Sequence, residues 1–252
     1  MTANKALIAK HGNELIAMAE AVGVQIRYEA AVAGGIPVIK VLRESLAANA
    51  VTEVAGIING TGNFILTEMS TKGRAFEDVL SEAQELGYAE ADPTFDIDGT
   101  DAAHKLVILA SLAFGIPLSI DVPMKQGIQE VAPEDLECAA SMGYRVKHLG
   151  IARRTEQGIE MRVHPTLIPE RKQIATVDGV LNAVMISGDA VGEVVLVGPG
   201  AGGAATASSV CADLVDVARN PAGSGPALGI AAGALQSPTW VSAENIASEW
   251  YV

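Results

Sequence analysis

The chain has 252 residues, with 30 acidic against 17 basic side chains, a net charge of −13 and 49% apolar residues. This balance excludes the basic stripe of a nucleic-acid surface, the polybasic patch that docks on anionic lipid and wholesale disorder. The longest apolar run, 106–118, is too short and broken to cross about 30 Å of hydrocarbon. No apolar signal core opens the sequence, and Cys138 and Cys211 have no metal-type spacing. The expectation is a cytoplasmic protein that binds neither nucleic acid nor membrane.

Taken in chain order, Leu7, Ile8, His11, Leu15 and Met18 recur at helical spacing, which predicts a helix over the first 20 residues. Val24, Ile26 and Tyr28 alternate and predict a strand, closed by the small-residue turn AVAGGIP. A helix over 38–48 and a strand over 51–59 follow. The Asn and Thr side chains of NGTGN, 59–63, are placed to cap the next helix. Residues 75–87 read as an amphipathic helix, with Phe76, Val79, Leu80, Ala83 and Leu86 on one face and Gly87 as its stop. The helix over 101–114 is apolar nearly all round and is expected to be buried. From about 145 to 197, four alternating or β-branched segments separated by turns predict an antiparallel sheet. A second amphipathic helix is expected over 205–220, and the Gly, Pro, Ser and Ala of 221–239 read as a linker. The fold class is α+β, with helices on one mixed or antiparallel sheet.

Chemistry is concentrated in AQELGYAEADPTFDIDGTDAAHK, 83–105. Glu90, Asp92, Asp96, Asp98 and Asp101 crowd the turn before the buried helix. Asp101 stands at the helix start, where the dipole favours a carboxylate. Lys105, four residues on, shares its face. A partly desolvated lysine beside a carboxylate feels opposed effects that can tune it for proton transfer. An ordinary helix ion pair is the competing reading. His104 points about 100° away from Lys105 and reads as a packed residue. His11, His148 and His164 are scattered and make no metal spacing.

Two glycine-rich turns are weaker signals. GPGAGG, 198–203, has the spacing of a dinucleotide fingerprint, but no strand and acid follow it. It is read as a close-approach loop at a helix start or a plain tight turn. Glu29 precedes AVAGG, where turn carbonyls beside a carboxylate can bind a cation or simply turn the chain.

Together these segments resemble the homoserine dehydrogenases. AQELGYAEADPTFDIDGTDAAHK matches the family signature along its length. TANKALIAKHG, YEAAVAGGIPVI, GIINGTGNFIL and GPGAGGAATASSVCADL match further blocks in the same order, over roughly residues 2–220. Gly62 stands where many relatives have Thr. The resemblance implies NADPH- or NADH-dependent reduction of L-aspartate 4-semialdehyde to L-homoserine, on the way to threonine, methionine and isoleucine. It implies Lys105 as proton donor, Glu90 and Asp101 as ligands of the homoserine amino and hydroxyl ends, Gly87 lending backbone and Asp96 supporting them. Lys5 would lie near the nicotinamide and the reacting oxygen, and Gly200 and Gly202 would touch the cofactor. Glu29 with the carbonyls of Val32, Gly34 and Ile36 would hold a monovalent cation such as Na+. A homodimer is implied as well.

The resemblance also assigns parts. Residues 1–21 would close a nucleotide-binding Rossmann domain whose earlier strands and glycine fingerprint are not in this sequence. Residues 22–190 would bind substrate and dimerise, 191–220 would return to the nucleotide domain, and 221–252 would lead toward a regulatory ACT domain. On this reading the chain is a segment of a longer enzyme. The alternative is that this stretch by itself is a substrate-binding and dimerisation module without dehydrogenase activity.

Overall fold

The structure is a computed structural model and describes residues 1–220 and 225–246. Helix α1, Lys5–Ala21, starts where the Asn4 side chain accepts the Leu7 N–H. Helix α2, Val38–Lys40, runs on into a π turn, Val41–Ser45. Strand β1, Val51–Ile57, leads into α3, Gly60–Lys72, and α4, Phe76–Glu85. A short helix α5, Thr94–Ile97, precedes α6, Thr100–Phe114. Strand β2, Met124–Lys125, and helix α7, Pro133–Ser141, lead to the long hairpin β3, Tyr144–Thr155, and β4, Gly158–Pro169. Strands β5, Leu181–Gly188, and β6, Gly192–Pro199, form a second hairpin, and α8 spans Gly203–Arg219.

The six strands make one sheet in the order β2-β4-β3-β1-β5-β6. Every pair is antiparallel except β2 with β4. The sheet is therefore mixed, within the α+β class expected. Alternation sorts its side chains. Val54, Ala152, Met161, Val184 and Ile186 pack with Leu106 and Leu109 of α6, while Ala55, Ile57, Leu149, Ile151 and Ala183 join Ile174 and Val177 on the other face. Helix α6 buries twelve of its fifteen residues, so it is a core element, as its all-round apolar sequence required. Each fully buried Leu or Ile there contributes about 1.5–3 kcal/mol.

Several expectations are corrected. Residues 24–28 form no strand: Val24 is 59% exposed, Tyr28 is fully buried, and the backbone hydrogen bonds along the stretch are Val24 N–H to Ala19 O at 2.9 Å, Thr2 N–H to Arg27 O at 3.0 Å and Ala31 N–H to Tyr28 O at 2.8 Å. Alternation makes a strand only where another strand offers a ladder, and none lies there among the described residues. The second helix stops at Ser45 rather than 48. Helix α4 ends at Glu85, so Leu86 is its exposed C-cap, and Gly87 ends it with φ +72. Helix α8 stands where the second amphipathic helix is expected, and it buries Ser209 and Asp213 while leaving Leu214 and Val215 exposed.

The expected linker is mostly exposed where it is described but is anchored on the core at points along its length. Leu228 is fully buried in the main core, the Tyr28 hydroxyl donates to Ala227 O at 2.8 Å, and Trp240 bridges to Ile159. Residues 221–224 and 247–252, which include the end of SAENIASEWYV, lie outside the described residues.

Candidate functional site

The acidic turn separates into three kinds of carboxylate. Asp92 accepts the Thr94 N–H, and Asp98 accepts both the N–H and the hydroxyl of Thr100, so these two shape local turns. Glu90 is exposed, and its contact is through its backbone, whose carbonyl accepts from Gln84. Asp96 and Asp101 instead turn inward.

Asp101, 4% exposed in the first turn of α6, is the centre of the cluster. Its Oδ2 accepts Lys105 Nζ at 2.6 Å and Asn59 Nδ2 at 2.9 Å, and its Oδ1 lies 3.0 Å from Lys5 Nζ. Burial alone would raise this carboxyl, but the two ammoniums together with hydrogen bonds from Lys105 and Asn59 outweigh it and hold Asp101 below its ordinary value. Among the described residues, Asp96 has no ammonium in contact. Burial raises it, and the Asn59 hydrogen bond offsets that only in part.

Lys105 is the best-defined donor. Its stem is covered, its side chain is 13% exposed, and its Nζ also donates to Ile58 O at 2.6 Å. An ammonium has three N–H groups. Two are committed, to Ile58 and Asp101, which leaves one for an incoming oxygen. Lys5 opens α1 and sits 5.6 Å over the exposed ring of Phe95, which packs edge-on against buried His104. His104 is thus packed, as expected. The starts of α1, α3 and α6 meet at this point, where helix dipoles favour negative groups such as Asp101.

The structure therefore brings Lys5, Asp96, Asp101 and Lys105 together. Gly87 and Glu90 lie on the adjoining turn, which is tied to α3 by the Thr61 hydroxyl donating to Tyr88 O at 2.6 Å. Neither makes a hydrogen bond or ion pair with the lysine cluster among the described residues. Asn59 was foreseen only as a cap, and it does cap α3 by accepting the Gly62 N–H at 2.7 Å. Its amide contacts are to residues 37 and 42 positions away, for which the sequence carries no local signal.

A second buried carboxylate lies at the 28–40 turn. Glu29 accepts the Ile39 and Lys40 N–H groups, both at 2.9 Å, and caps α2. Burial pushes it up to about 7 despite those bonds. Gly34 O accepts the Ser209 hydroxyl at 2.6 Å, and Ile36 O accepts the Val38 N–H at 2.8 Å. Each of these oxygens keeps a second lone pair, and a cation would supply a charge in contact with Glu29, which has no ion pair among the described residues. A carboxylate with such carbonyls is an oxygen donor set of the kind that hard cations take.

The 198–203 loop packs on the same turn. A Cβ at Gly200 would lie 2.1 Å from Asn182 Cγ, so glycine is required there by packing. Gly202 is open and adopts φ +107 at the start of α8, which glycine alone adopts without strain. No helix among the described residues is long and apolar enough to cross a membrane.

A family profile described as homoserine dehydrogenase matches residues 37–215. A homoserine dehydrogenase of Pseudomonas aeruginosa is 65% identical over 219 residues, 87% of this chain and 50% of that protein. One of Neisseria gonorrhoeae is 52% identical over 256 residues, covering 100% of this chain and 59% of that protein. The crystal structure of a homoserine dehydrogenase from Thiobacillus denitrificans superposes with a TM-score of 0.92 at 58% identity, over 96% of this chain and 57% of that one. A hyperthermophilic archaeal homoserine dehydrogenase solved in complex with NADPH superposes with a TM-score of 0.75 at 33% identity, over 87% of this chain and 63% of that one. The chain thus spans about half the length of the curated relatives it matches.

Proposed function

The chain belongs to the homoserine dehydrogenase family, and from that premise we propose that the Lys105–Asp101–Lys5 cluster is where L-aspartate 4-semialdehyde is reduced to L-homoserine. A nicotinamide cofactor, NADPH or NADH, supplies the hydride when bound. The protein's share is position and charge. Hydride addition turns the aldehyde oxygen into an alkoxide, which needs a cation beside it and a proton. Lys105 provides both through its uncommitted N–H. The observation that carries this reading is the geometry of its ammonium, anchored on Ile58 O and Asp101 and short of one partner.

The other roles follow from charge. Asp101 keeps the two ammoniums within reach of one oxygen, and Lys5 adds a second positive charge at the nicotinamide side. Glu90 and Asp101 suit the amino and hydroxyl ends of homoserine, with Gly87 lending backbone and Asp96 behind them. Lys5, Gly200 and Gly202 are the residues that would hold the cofactor. Glu29 with the carbonyls of Val32, Gly34 and Ile36 would hold Na+. Residues 1–21 and 191–220 serve the nucleotide-binding part, 22–190 the substrate-binding and dimerisation part of a homodimer, and 221–252 the connection onward. The reaction is a cytoplasmic step of amino-acid biosynthesis.

The test is NADPH oxidation with aspartate 4-semialdehyde by the protein as its gene encodes it. Turnover that needs both reactants is expected. Cofactor binding without turnover of this aldehyde would overturn the reading.

A further inference from the structure

We propose that Asn59 is a positioning residue of this site: its side-chain amide bridges Asp96 to Asp101 and so aims Asp101 at both lysines. The proposal rests on the functional reading above, but its geometry stands apart from it. Asn59 is 6% exposed, and both its N–H groups and its amide oxygen have partners. One N–H of Nδ2 goes to Asp96 at 2.8 Å and the other to Asp101 at 2.9 Å, while Oδ1 accepts the Gly62 N–H at 2.7 Å. An amide has two donors on nitrogen and an acceptor oxygen. Turned over, it would set its oxygen against two carboxylates and its NH2 against a backbone donor. Only one orientation satisfies the site.

The consequence is mechanical as well as electrostatic. Asn59 joins the end of the β1 segment to α3 by its cap, to α5 through Asp96 and to α6 through Asp101. The preceding residue, Ile58, gives the carbonyl that anchors Lys105. Two consecutive residues thus fix both members of the Lys105–Asp101 pair. Without the bridge, Asp96 and Asp101 face each other as like charges, and Asp101 has Lys105 and Lys5 alone to orient it. The charged and titratable groups around Asn59 are Asp96 on α5, Asp101 and Lys105 on α6, Lys5 on α1 and His148 on β3, whose Nδ1 lies 3.9 Å from where a Cβ on Gly62 would stand.

Asn59→Ser separates the bridge from the cap. Serine is a good N-cap but is too short to reach two carboxylates. In the protein as its gene encodes it, this variant is expected to melt close to the wild type. Its kcat should fall on the order of 10-fold to 100-fold, as for a misplaced catalytic pair, with the KM for NADPH little changed. Independently of activity, carboxyl 13C NMR should show Asp96 titrating at higher pH than in the wild type, because it has lost the hydrogen bond that opposes its burial. Wild-type kcat in Asn59→Ser, or an unmoved Asp96 titration, would overturn the proposal. If the wild type itself has no dehydrogenase activity, the functional reading fails and the titration alone decides the role of Asn59. Should Asn59→Ser not fold, Asn59→Asp keeps the cap and the shape but adds a third carboxylate. Its turnover should then be lost at neutral pH and recover in part toward acid, and an unchanged pH profile would contradict the bridge.

Discussion

Asp101 and Glu29 are both 4% exposed carboxylates at the start of a helix, and they differ in what surrounds the charge. Asp101 has two ammoniums within 3.0 Å and is held below its ordinary value. Glu29 has no ion pair among the described residues; burial pushes it up to about 7, with Asp213 adding to the rise and two backbone N–H groups and the nearby Arg43 opposing it. Two backbone hydrogen bonds and a cation out of contact offset only part of the burial of Glu29, whereas two ammoniums in contact outweigh that of Asp101. In the proposed function this divides the labour. The first site keeps two ammoniums in place for an oxygen that becomes negative. The second keeps a place for a cation that the chain does not supply.

The comparison can be broken at several points. Lys105→Ala removes the proton donor and half of the pairing of Asp101. Homoserine oxidation should fall on the order of 10²–10⁴-fold, as steady-state kinetics would show, and near-normal turnover would remove Lys105 from the role. Asp101→Asn leaves two ammoniums side by side around a neutral amide. Breaking such a buried pair costs about 3–5 kcal/mol, so a lower melting temperature and a large loss of kcat are expected together.

Glu29→Gln sharpens the contrast through pH. The Glu29 carboxyl is raised from 4.5 to about 7. Its neutral form is the one the fold favours, so the stability it contributes is complete below its unfolded value and lost as pH rises through about 7. The linkage amounts to roughly 3 kcal/mol at most. Melting curves across that range should therefore flatten in Glu29→Gln. Asp101 has the opposite sign, with stability present above its ordinary value of 3.8 and lost on acidification below it. The smallest effect is that of salt identity. Sodium should raise the melting temperature more than choline at equal ionic strength, and more at about pH 8 than at about pH 5, since the ion binds the charged form of Glu29. Equal melting in both salts would count against the cation.

How far the sequence revealed this follows the range of each interaction. The Asp101–Lys105 pair was legible because helical spacing, a helix start and an apolar surrounding are all local. Asp96 stood out as one of the acids before α6, but its supporting role and the whole of Lys5 were reached through family resemblance, since nothing in the sequence between residues 5 and 101 marks those two as neighbours. Asn59 showed only its cap, because its bridge closes over loops of about forty residues. The false strand at 24–28 and the anchored tail at 225–240 share one cause: periodicity and composition describe a segment but not what lies beside it. Helix α7 is different. Pro133 in its first turn and the acids Glu134 and Asp135 are ordinary start signals, present in the sequence and not used.

One titration tests the contrast most directly. Carboxyl 13C NMR of selectively labelled protein can follow Asp101 and Glu29 in the same sample without added monovalent metal ions. Asp101 should remain ionised to below the ordinary aspartate range while Glu29 takes up its proton near 7. Titration of Asp101 above that range, or of Glu29 at its ordinary value, would contradict the account.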